Sequence, residues 1–421
     1  MRVPRSPEAN SRPGPARGGK RTGSMTVEPM LATEDARSAL ERAADQPSPA
    51  VEELDATVAF DLGDGQGWSV RLDRGRMAFR TDPVEKADTR IFTDPSTLAA
   101  IVDGRESGVK AFLDGRLRVR GNLALSLRLD GLFDGVERPA RFPRAGTVTA
   151  AGVRTFYLEA GAGPAIILLH GLGATNASLL PTLWDLAADH RVLVPDLPGF
   201  GDSDKPLRAY HSAFFAGWLR AFMDAVGVDR ADLVGNSMGG RVAIEMGLAA
   251  PERVGHLVLL APSPAFIRRR QFVRIVRLLR PELAYVRLPI RHGLVVRGIR
   301  ALFARPERLP DPWYLAAADE FIRVFSRPRA RVAFFSAARQ IYLEEPYGDH
   351  GFWDRLPALE SPSLFVWGER DRLVPAGFAR HVVKALPNAT SVVLDDCGHV
   401  PQYEHPDQTH QLTREFLADG G

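Results

Sequence analysis

The stretch ADLVGNSMGG, Ala231–Gly240, places one serine among small residues directly after an apolar run. The apolar run predicts a buried strand, and the following residues, to Ala250, predict a helix. Ser237 then lies at a tight turn, with Gly235 two residues before it and Gly239 two residues after it. This G-x-S-x-G pattern is typical of a nucleophilic serine, since larger side chains would clash with the strand and the helix. Glycine and serine also form ordinary turns, so the motif alone is moderately specific.

Apolar runs alternate with helical stretches on both sides of this turn. The runs other than DLVG are AIILLH (165–170), RVLVPD (191–196), HLVLLAP (256–262), SLFVWG (363–368) and SVVLDD (391–396). Continuous apolar strands separated by helices predict a parallel sheet covered on both faces. Such a sheet carries its active site at the carboxyl ends of its strands. A long, mainly helical insertion, about residues 263–345, interrupts the alternation.

An attacking serine needs a base, and the base needs a carboxylate that orients it. Asp371 follows the strand SLFVWG, and His399 follows the strand SVVLDD. Both lie just past a strand's carboxyl end, in the chain order Ser, Asp, His that accompanies this type of turn. We therefore predict Ser237 as nucleophile, His399 as base and Asp371 as orienting acid. Glu369 is a weaker alternative for the acid.

Nearby residues have other predicted roles. Asp395 and Asp396 are interpreted as turn residues, and His170 as a structural residue. A tetrahedral intermediate needs hydrogen-bond donors for its oxyanion. The backbone N–H groups of Met238, the residue after the serine, and of Leu172, in the loop after the first core strand, are the predicted donors.

The composition excludes several classes of protein. The 421 residues are 45% hydrophobic and 25% charged, with a net charge of +3, which is ordinary for a globular protein and gives no general indication of nucleic-acid binding. No apolar run approaches the roughly 20 residues that span a bilayer. The single Cys397 excludes an intrachain disulfide and, with no apparent signal peptide, favours a reducing cytoplasm.

Charge is unevenly distributed along the chain. Residues 261–345 contain 17 arginines, no lysine and seven acidic residues, an excess of ten positive charges that leaves the remainder with an excess of seven negative charges. A solvated arginine-rich face is the simpler interpretation. The other interpretation is peripheral contact of this arginine-rich segment, which contains the helical insertion, with an anionic membrane surface. The sequence leaves the oligomeric state open.

The first third of the chain predicts a different structure. Residues 1–30 are rich in Arg, Pro and Gly and are expected to form a disordered basic tail, with Met25 an alternative start. Residues 31–138 contain alternating strand patterns followed by helical ones, which predicts a small α+β domain. Asp94 and Asn122 are the predicted N-caps of two of its helices. Residues 139–146 contain proline and glycine and are interpreted as a linker.

Two resemblances accompany these patterns. HGLGA, DLPGFGDSDKP, GNSMGG, WGERDRLVP and CGHVPQYEHP resemble the successive signatures of the α/β-hydrolase superfamily, over about residues 147–421. The resemblance implies an eight-stranded, mostly parallel, doubly wound sheet with a helical cap after the sixth strand, and no cofactor or metal. DTRIFTDPSTLAAIVDG and DGRLRVRGNLALSLRLDGLF resemble the sterol carrier protein type 2 domain, which implies binding of fatty acyl or sterol-like ligands.

The expected function is hydrolysis of a carboxylic ester of a hydrophobic substrate, with a long acyl chain or a fused ring, through an acyl-enzyme. The cap supports this expectation because apolar and aromatic residues lie between its arginines: Phe272, Val273, Ile275, Val276, Leu278, Leu279, Trp313, Tyr314, Phe321, Phe334 and Phe335. One alternative is carbon–carbon bond hydrolysis of ring-cleavage dienoic ketones, with Arg241 or a cap arginine as the group that binds their carboxylate. A non-catalytic lipid carrier or sensor is the other.

Overall fold

Two β-sheets organise the chain. The computed structural model describes residues 27–44, 53–63, 66–82, 84–128, 131, 138–265, 276–278, 280–286 and 289–418. Most of the expected N-terminal tail, residues 1–26, lies outside the described residues. The predicted boundary of the tail at residue 30 is wrong, because residues 27–30 form the first turn of helix α1, Val27–Ala44.

The smaller sheet belongs to the N-terminal domain. Its strands, in the spatial order β3-β2-β1-β4-β5, are β1 Asp55–Gly63, β2 Gln66–Asp73, β3 Arg76–Arg80, β4 Thr89–Phe92 and β5 Arg118–Gly121. Strands β1 and β2 pair as an antiparallel hairpin, in line with the alternating patterns of the sequence. Three further helices are α2 Pro95–Val102, α3 Gly108–Leu113 and α4 Leu123–Ser126. Both predicted caps are confirmed, since the side chain of Asp94 accepts the N–H of Thr97 and that of Asn122 accepts the N–H of Leu125.

The larger sheet is the eight-stranded, mostly parallel sheet that the α/β-hydrolase resemblance implies. Its spatial order is β13-β12-β11-β10-β8-β9-β7-β6, and β7 is the strand that runs antiparallel to both of its neighbours. The strands are β6 Arg144–Ala150, β7 Val153–Ala160, β8 Ala165–Leu169, β9 Arg191–Pro195, β10 Ala231–Asn236, β11 Val254–Leu260, β12 Ser363–Gly368 and β13 Thr390–Leu394.

One edge of this sheet begins earlier than expected. Residues 144–146, placed by the sequence in the linker, are the first residues of β6 and pair with residues 157–159 of β7. The hairpin turns at Ala151 and Gly152, both with positive φ, a geometry that matches the twist of the paired strands. The composition indicated a linker, whereas the pairing with β7 makes these residues a strand.

Helices cover both faces of the large sheet and form the cap. They are α5 Leu180–Leu186, α6 Ser212–Ala225, α7 Met238–Ala249, α8 His292–Arg300, α9 Asp311–Phe325, α10 Pro328–Tyr342, α11 Phe352–Arg355, α12 Ala379–Ala385, α13 Pro401–Glu404 and α14 Pro406–Ala418. Helices α8 to α10 lie between β11 and β12, so the cap follows the sixth strand of this sheet, as expected. Within the described residues, none of the helices has the length and apolar character needed to cross a membrane.

The core continues from one domain into the other. Alternate residues of the central strands face opposite sides of the large sheet; Ile167 and Leu169 of β8 face one side, and Ile166 and Leu168 the other. The cluster that contains Ile166 and Leu168 extends without interruption into the interior of the N-terminal domain. The two domains therefore share one apolar core.

The turn between β10 and α7 has no space for a side chain at either flanking glycine. A Cβ atom at Gly239 would lie 2.0 Å from the carbonyl oxygen of Leu169 in β8, and one at Gly235 would lie 2.5 Å from the backbone of Gly239. Backbone atoms cannot move aside as the end of a flexible side chain can. The close approach of β8, β10 and α7 therefore depends on these glycines.

Gly239→Ala is expected to lower the free energy of unfolding by about 1–3 kcal/mol, the usual cost of overpacking a well-packed site. The matched control is Gly217→Ala on the exposed face of α6, where a Cβ atom meets nothing within 4 Å. That variant should be neutral or up to about 1 kcal/mol more stable, since alanine favours the helix. Urea unfolding curves measure both effects, and equal midpoints for the two variants would contradict the prediction.

Candidate active site

Ser237 occupies a strained backbone conformation at the carboxyl end of β10. Its φ of 54° and ψ of −113° are uncommon for a residue with a side chain. The end of the neighbouring strand β11 holds the turn in place. The Ser237 N–H donates to the carbonyl of Leu260 at 2.9 Å, and the Ser237 carbonyl accepts the N–H of Ser263 at 3.0 Å. The strained turn is thus fixed by main-chain bonds on both sides of the serine.

The structure brings His399 and Asp371 together. His399 Nδ1 lies 2.7 Å from Asp371 Oδ2, and both side chains are almost completely buried. A carboxylate accepts hydrogen bonds, so Nδ1 carries the proton and Nε2 is left to accept one. Asp371 Oδ1 accepts the N–H groups of Leu373 at 2.8 Å and Val374 at 2.9 Å. These bonds fix the orientation of the carboxylate, and through it that of the imidazole.

The backbone of His399 is tied to two other parts of the site. Its N–H donates to the carbonyl of Leu302 in the cap at 2.7 Å. Its carbonyl accepts from Nδ2 of Asn236, the residue before the serine, at 3.2 Å. The imidazole is therefore positioned relative to both the cap and the turn that carries Ser237.

Ser263 is a site residue that the sequence analysis missed. Among the described residues, the hydrogen-bond partner of Ser237 Oγ is Ser263 Oγ at 3.2 Å, and not a ring nitrogen of His399. Hydrogen bonds between a catalytic base and its nucleophile often form only when substrate binds. This geometry is therefore compatible with the roles predicted for His399 and Ser237. Ser263 follows β11 as closely as Asp371 follows β12, and that position was the available signal.

The two predicted oxyanion donors are backbone N–H groups next to Ser237 or at its cavity. Met238 is the first residue of α7, the positive end of the helix dipole. Leu172 lines the same cavity as Ser237. In the part of the chain that the structure describes, neither N–H donates to a protein acceptor. Both donors are therefore available to a ligand.

His170 holds the loop that carries Leu172. Burial lowers the pKa of His170 to about 4, so the ring is neutral at pH 7. Its Nδ1–H donates to the carbonyl of Gly171 at 2.8 Å, and its Nε2 accepts the N–H of Leu197 at 2.9 Å. These contacts support the structural role that the sequence analysis gave it.

Within the described chain, the His399 imidazole pairs with Asp371 and with none of the other titratable side chains nearby. Glu369 is exposed and accepts the N–H of Asp396 at 3.2 Å. Asp396 adopts a positive φ in the turn after β13 and pairs with Arg305 and Arg370. Cys397 is completely buried, and burial raises the pKa of its thiol. The structure therefore brings Asp371, and not Glu369, to the histidine.

Ser237 opens onto a cavity of about 470 Å³, within the size range of small-molecule sites. Its lining is largely apolar, and 12 of its 27 described residues come from the cap. Of the cap residues singled out in the sequence, four line the cavity: Trp313, Tyr314, Phe321 and Phe334. Val276 and Phe335 are buried outside this lining, Leu278 is exposed, and Phe272, Val273, Ile275 and Leu279 lie outside the described residues.

Arg241 is not part of this cavity, so its suggested role as a carboxylate-binding group is not supported. Its side chain is completely buried and pairs with Glu245 at 2.9 Å and with Glu344. Among the described lining residues there is no lysine or arginine; Glu320 is the carboxylate, and it is paired with Arg323 at 2.6 Å.

Known hydrolases resemble this chain in sequence. A 2-hydroxy-6-oxo-6-phenylhexa-2,4-dienoate hydrolase of Burkholderia cepacia is 31% identical over 289 residues, which are 65% of this chain and 96% of that protein. A 2-hydroxymuconate semialdehyde hydrolase of Pseudomonas sp. (strain CF600) is 29% identical over 297 residues, 67% of this chain and 96% of that protein. Each of these relatives is matched over 96% of its own length.

Solved structures resemble it as well. A membrane phospholipase A superposes with a TM-score of 0.57 and 27% identity, covering 66% of this chain and 87% of that one. A meta-cleavage product hydrolase, with a TM-score of 0.55 and 24% identity over 65% of this chain and 98% of that one, shares the fold. Residues 164–406 match the alpha/beta hydrolase fold family and residues 37–134 match the SCP-2 sterol transfer family. The chain therefore belongs to the α/β-hydrolase fold family and carries a small SCP-2-like domain before its hydrolase domain.

Proposed function

We propose that the protein is a serine hydrolase that cleaves a carboxylic ester of a neutral, hydrophobic substrate. The observation that carries this proposal is the location of Ser237 and the His399–Asp371 pair at one largely apolar cavity. Ser237 Oγ attacks the ester carbonyl while His399 Nε2 takes its proton, and Asp371 stabilises the resulting imidazolium. The N–H groups of Leu172 and Met238 hydrogen-bond the oxyanion.

The second half of the reaction uses the same groups. The imidazolium returns its proton to the departing alkoxide, which leaves as an alcohol, and Ser237 carries the acyl group. Water then attacks the acyl carbonyl, giving one proton to His399, and the carboxylic acid leaves as Ser237 regains its hydroxyl. Each oxyanion donor lowers the barrier by roughly 2.7–4 kcal/mol in comparable enzymes.

Carbon–carbon hydrolysis of dienoic ketones is the second candidate, and the names of the relatives favour it. Those substrates carry a carboxylate, which needs a cation or free hydrogen-bond donors when it is buried. The described lining supplies no cation. Asn236 Nδ2, an amide at the cavity, already donates to the carbonyls of Leu260 and His399. The absence of a cation from the described lining therefore favours a neutral ester.

We also propose that the cap docks on an anionic membrane surface, from which an apolar ester would enter. The exposed surface of residues 277–297, here named the cap patch, has large apolar side chains that are 49–73% exposed: Leu278, Leu283, Tyr285, Val286 and Leu294. The same segment contains four exposed arginines that have no acidic partner among the described residues: Arg277, Arg280, Arg291 and Arg297. Its exposed described carboxylate is Glu282.

Helix α8 connects the cap patch to the cavity. Leu294 is on its exposed side, whereas Val295 and Ile299 line the cavity. Basic residues contribute about 1 kcal/mol each near an anionic bilayer, and exposed apolar side chains insert at the interface. The positive charge of the cap patch is complementary to anionic headgroups, which supports an anionic phospholipid surface as its partner.

Ser237→Ala is expected to abolish labelling by a fluorophosphonate and to lower ester turnover by several orders of magnitude without shifting the unfolding midpoint. Asp371→Asn should fold normally and also lose most turnover, because the imidazole tautomer is no longer fixed. The matched control is Glu369→Gln, an exposed carboxylate near the same loop, which should keep full activity. Full activity in Asp371→Asn with loss in Glu369→Gln would move the acid to Glu369.

A substrate panel tests ester against carbon–carbon cleavage. We expect kcat/KM for aryl esters of alkanoic acids to exceed that for 2-hydroxy-6-oxo-6-phenylhexa-2,4-dienoate by at least roughly 100-fold, because an unpaired buried carboxylate costs several kcal/mol. The reverse preference would establish the second candidate. Labelling of Ser237 without turnover of either class would contradict both assignments, and no labelling of the wild type would favour the carrier or sensor.

The cap patch is tested by flotation with vesicles. We expect binding to vesicles that contain phosphatidylserine, weaker binding to pure phosphatidylcholine, and loss of binding as salt screens the arginines. The double variant Leu278→Ser with Leu294→Ser should bind several-fold more weakly. The matched control is Val383→Ser, an exposed apolar residue of α12 outside the cap patch. Equal binding by both variants would contradict the proposal.

A further inference from the structure

Two side chains of the N-terminal domain line the cavity at Ser237. They are Phe112, from helix α3, and Leu123, from helix α4. Phe112 is only 5% exposed and Leu123 only 4%. Helix α9 of the cap packs against α4 and β5 of the same domain. The hydrolase domain alone therefore does not supply the whole wall of the cavity.

Aromatic contacts make this part of the wall continuous with the hydrolase core. The ring of Phe112 stacks on Trp313 of α9, with 6.1 Å between centroids and an interplanar angle of 18°. Trp313 in turn makes an edge contact with Tyr403, at 5.4 Å between centroids. The Tyr403 hydroxyl donates to the carbonyl of Ala177 at 2.9 Å. Trp313 and Tyr403 also line the cavity.

Polar contacts hold the N-terminal domain on the cap at Asp319. The carboxylate of Asp319 accepts Nε–H of Arg120 at 2.6 Å and the N–H of Gly121 at 3.0 Å, both in β5. It also lies 2.9 Å from Nε2 of His292 in α8. Asp319 is largely buried, with 13% of its side chain exposed, whereas Arg120 is 45% exposed, so solvent partly screens the ion pair. These contacts fix β5, and so the helices on either side of it in sequence, against the cap.

A second set of charged side chains joins the N-terminal domain, the hydrolase core and the cap. Arg128, which follows α4, lies 3.6 Å from Asp202 of the hydrolase core. Asp202 pairs with Arg323 of α9 at 2.8 Å, and Arg323 pairs with Glu320 in the cavity lining. Each of these side chains is less than a fifth exposed. The N-terminal domain, the core and the cap thus meet at partly buried ion pairs.

We propose that the N-terminal domain completes the substrate site, with Phe112 and Leu123 forming an apolar subsite for the alkyl or fused-ring part of the substrate. This inference rests on the proposed ester hydrolysis, because it concerns the same cavity. The subsite is a fixed part of the site. A domain that left the hydrolase to collect lipid would have to break the Arg120–Asp319 pair and expose both Phe112 and Trp313 to water.

The test compares two leucines of α4 in the full-length protein. Leu123 lines the cavity, whereas Leu125 is equally buried, at 2% exposed, and does not. In the wild type, kcat/KM for p-nitrophenyl esters should rise about fourfold per added methylene, the equivalent of about 0.8 kcal/mol, until the acyl chain reaches the subsite. Leu123→Ala should extend that rise by roughly two carbons. Leu125→Ala should reach its limit at the wild-type chain length.

Leu123→Val and Leu125→Val repeat the comparison with a smaller change, so that poor folding of an alanine variant does not leave the matter open. The subsite is established if the chain-length limit moves in the Leu123 variants alone. It is overturned if the Leu123 and Leu125 variants have parallel series, since both then act only through stability.

A binding measurement separates this inference from the proposed reaction. Calorimetric titration of Ser237→Ala with 2-alkanones of increasing length, which resemble esters but are not hydrolysed, reports occupancy of the cavity without turnover. Suppose that the wild type turns over no ester, but that ketone affinity stops rising at a longer chain in Ser237→Ala with Leu123→Ala than in Ser237→Ala with Leu125→Ala. The proposed reaction is then wrong and the subsite is established. If esters are turned over and the ketone limits coincide, the subsite is wrong and the reaction holds.

Discussion

The strained backbone at Ser237 is the constraint on which the rest of the site depends. A non-glycine residue with positive φ costs of order 1–3 kcal/mol and persists only where its surroundings enforce it. Here the end of β11 enforces it, by accepting the N–H of Ser237 at Leu260 and donating to its carbonyl from Ser263. The turn starts α7 at Met238 and leaves that N–H without a protein acceptor among the described residues. One local geometry therefore places Ser237 at the cavity and leaves the Met238 N–H available, as their proposed roles of nucleophile and oxyanion donor require.

Parallel strands extend this local geometry to the other groups. The loops after β8, β12 and β13 lie at the same edge of the sheet as Ser237 and carry Leu172, Asp371 and His399. The loop of His399 is also tied to the cap, since Glu404 accepts the N–H groups of both Gly398 and Ala304. The backbone beside His399 is therefore held against the cap by a shared carboxylate.

The parts of the site that the sequence predicted are those with local signals. Ser237, Asp371 and His399 each follow an apolar strand, so one topological rule was enough to expect them at one edge. The roles of Phe112 and Leu123 have no such signal, because in their own domain they are ordinary apolar helix residues. Arg241 was misinterpreted for a related reason. A sequence shows that an arginine is present, but the carboxylates that neutralise it, Glu245 and Glu344, include one about 100 residues away.

The cavity selects its ligands by the cost of burial as well as by contact. Within the described lining, no cation faces an incoming anion, and the carboxylate of Glu320 is already neutralised by Arg323. A neutral apolar substrate therefore gains from burial, whereas a charged one loses hydration and meets no cation in the described lining. On the proposed reaction, hydrolysis converts the first kind of ligand into the second, because the acyl product is a carboxylate. The environment that favours binding of the ester then disfavours retention of its product, so the same apolar wall promotes both substrate binding and product release.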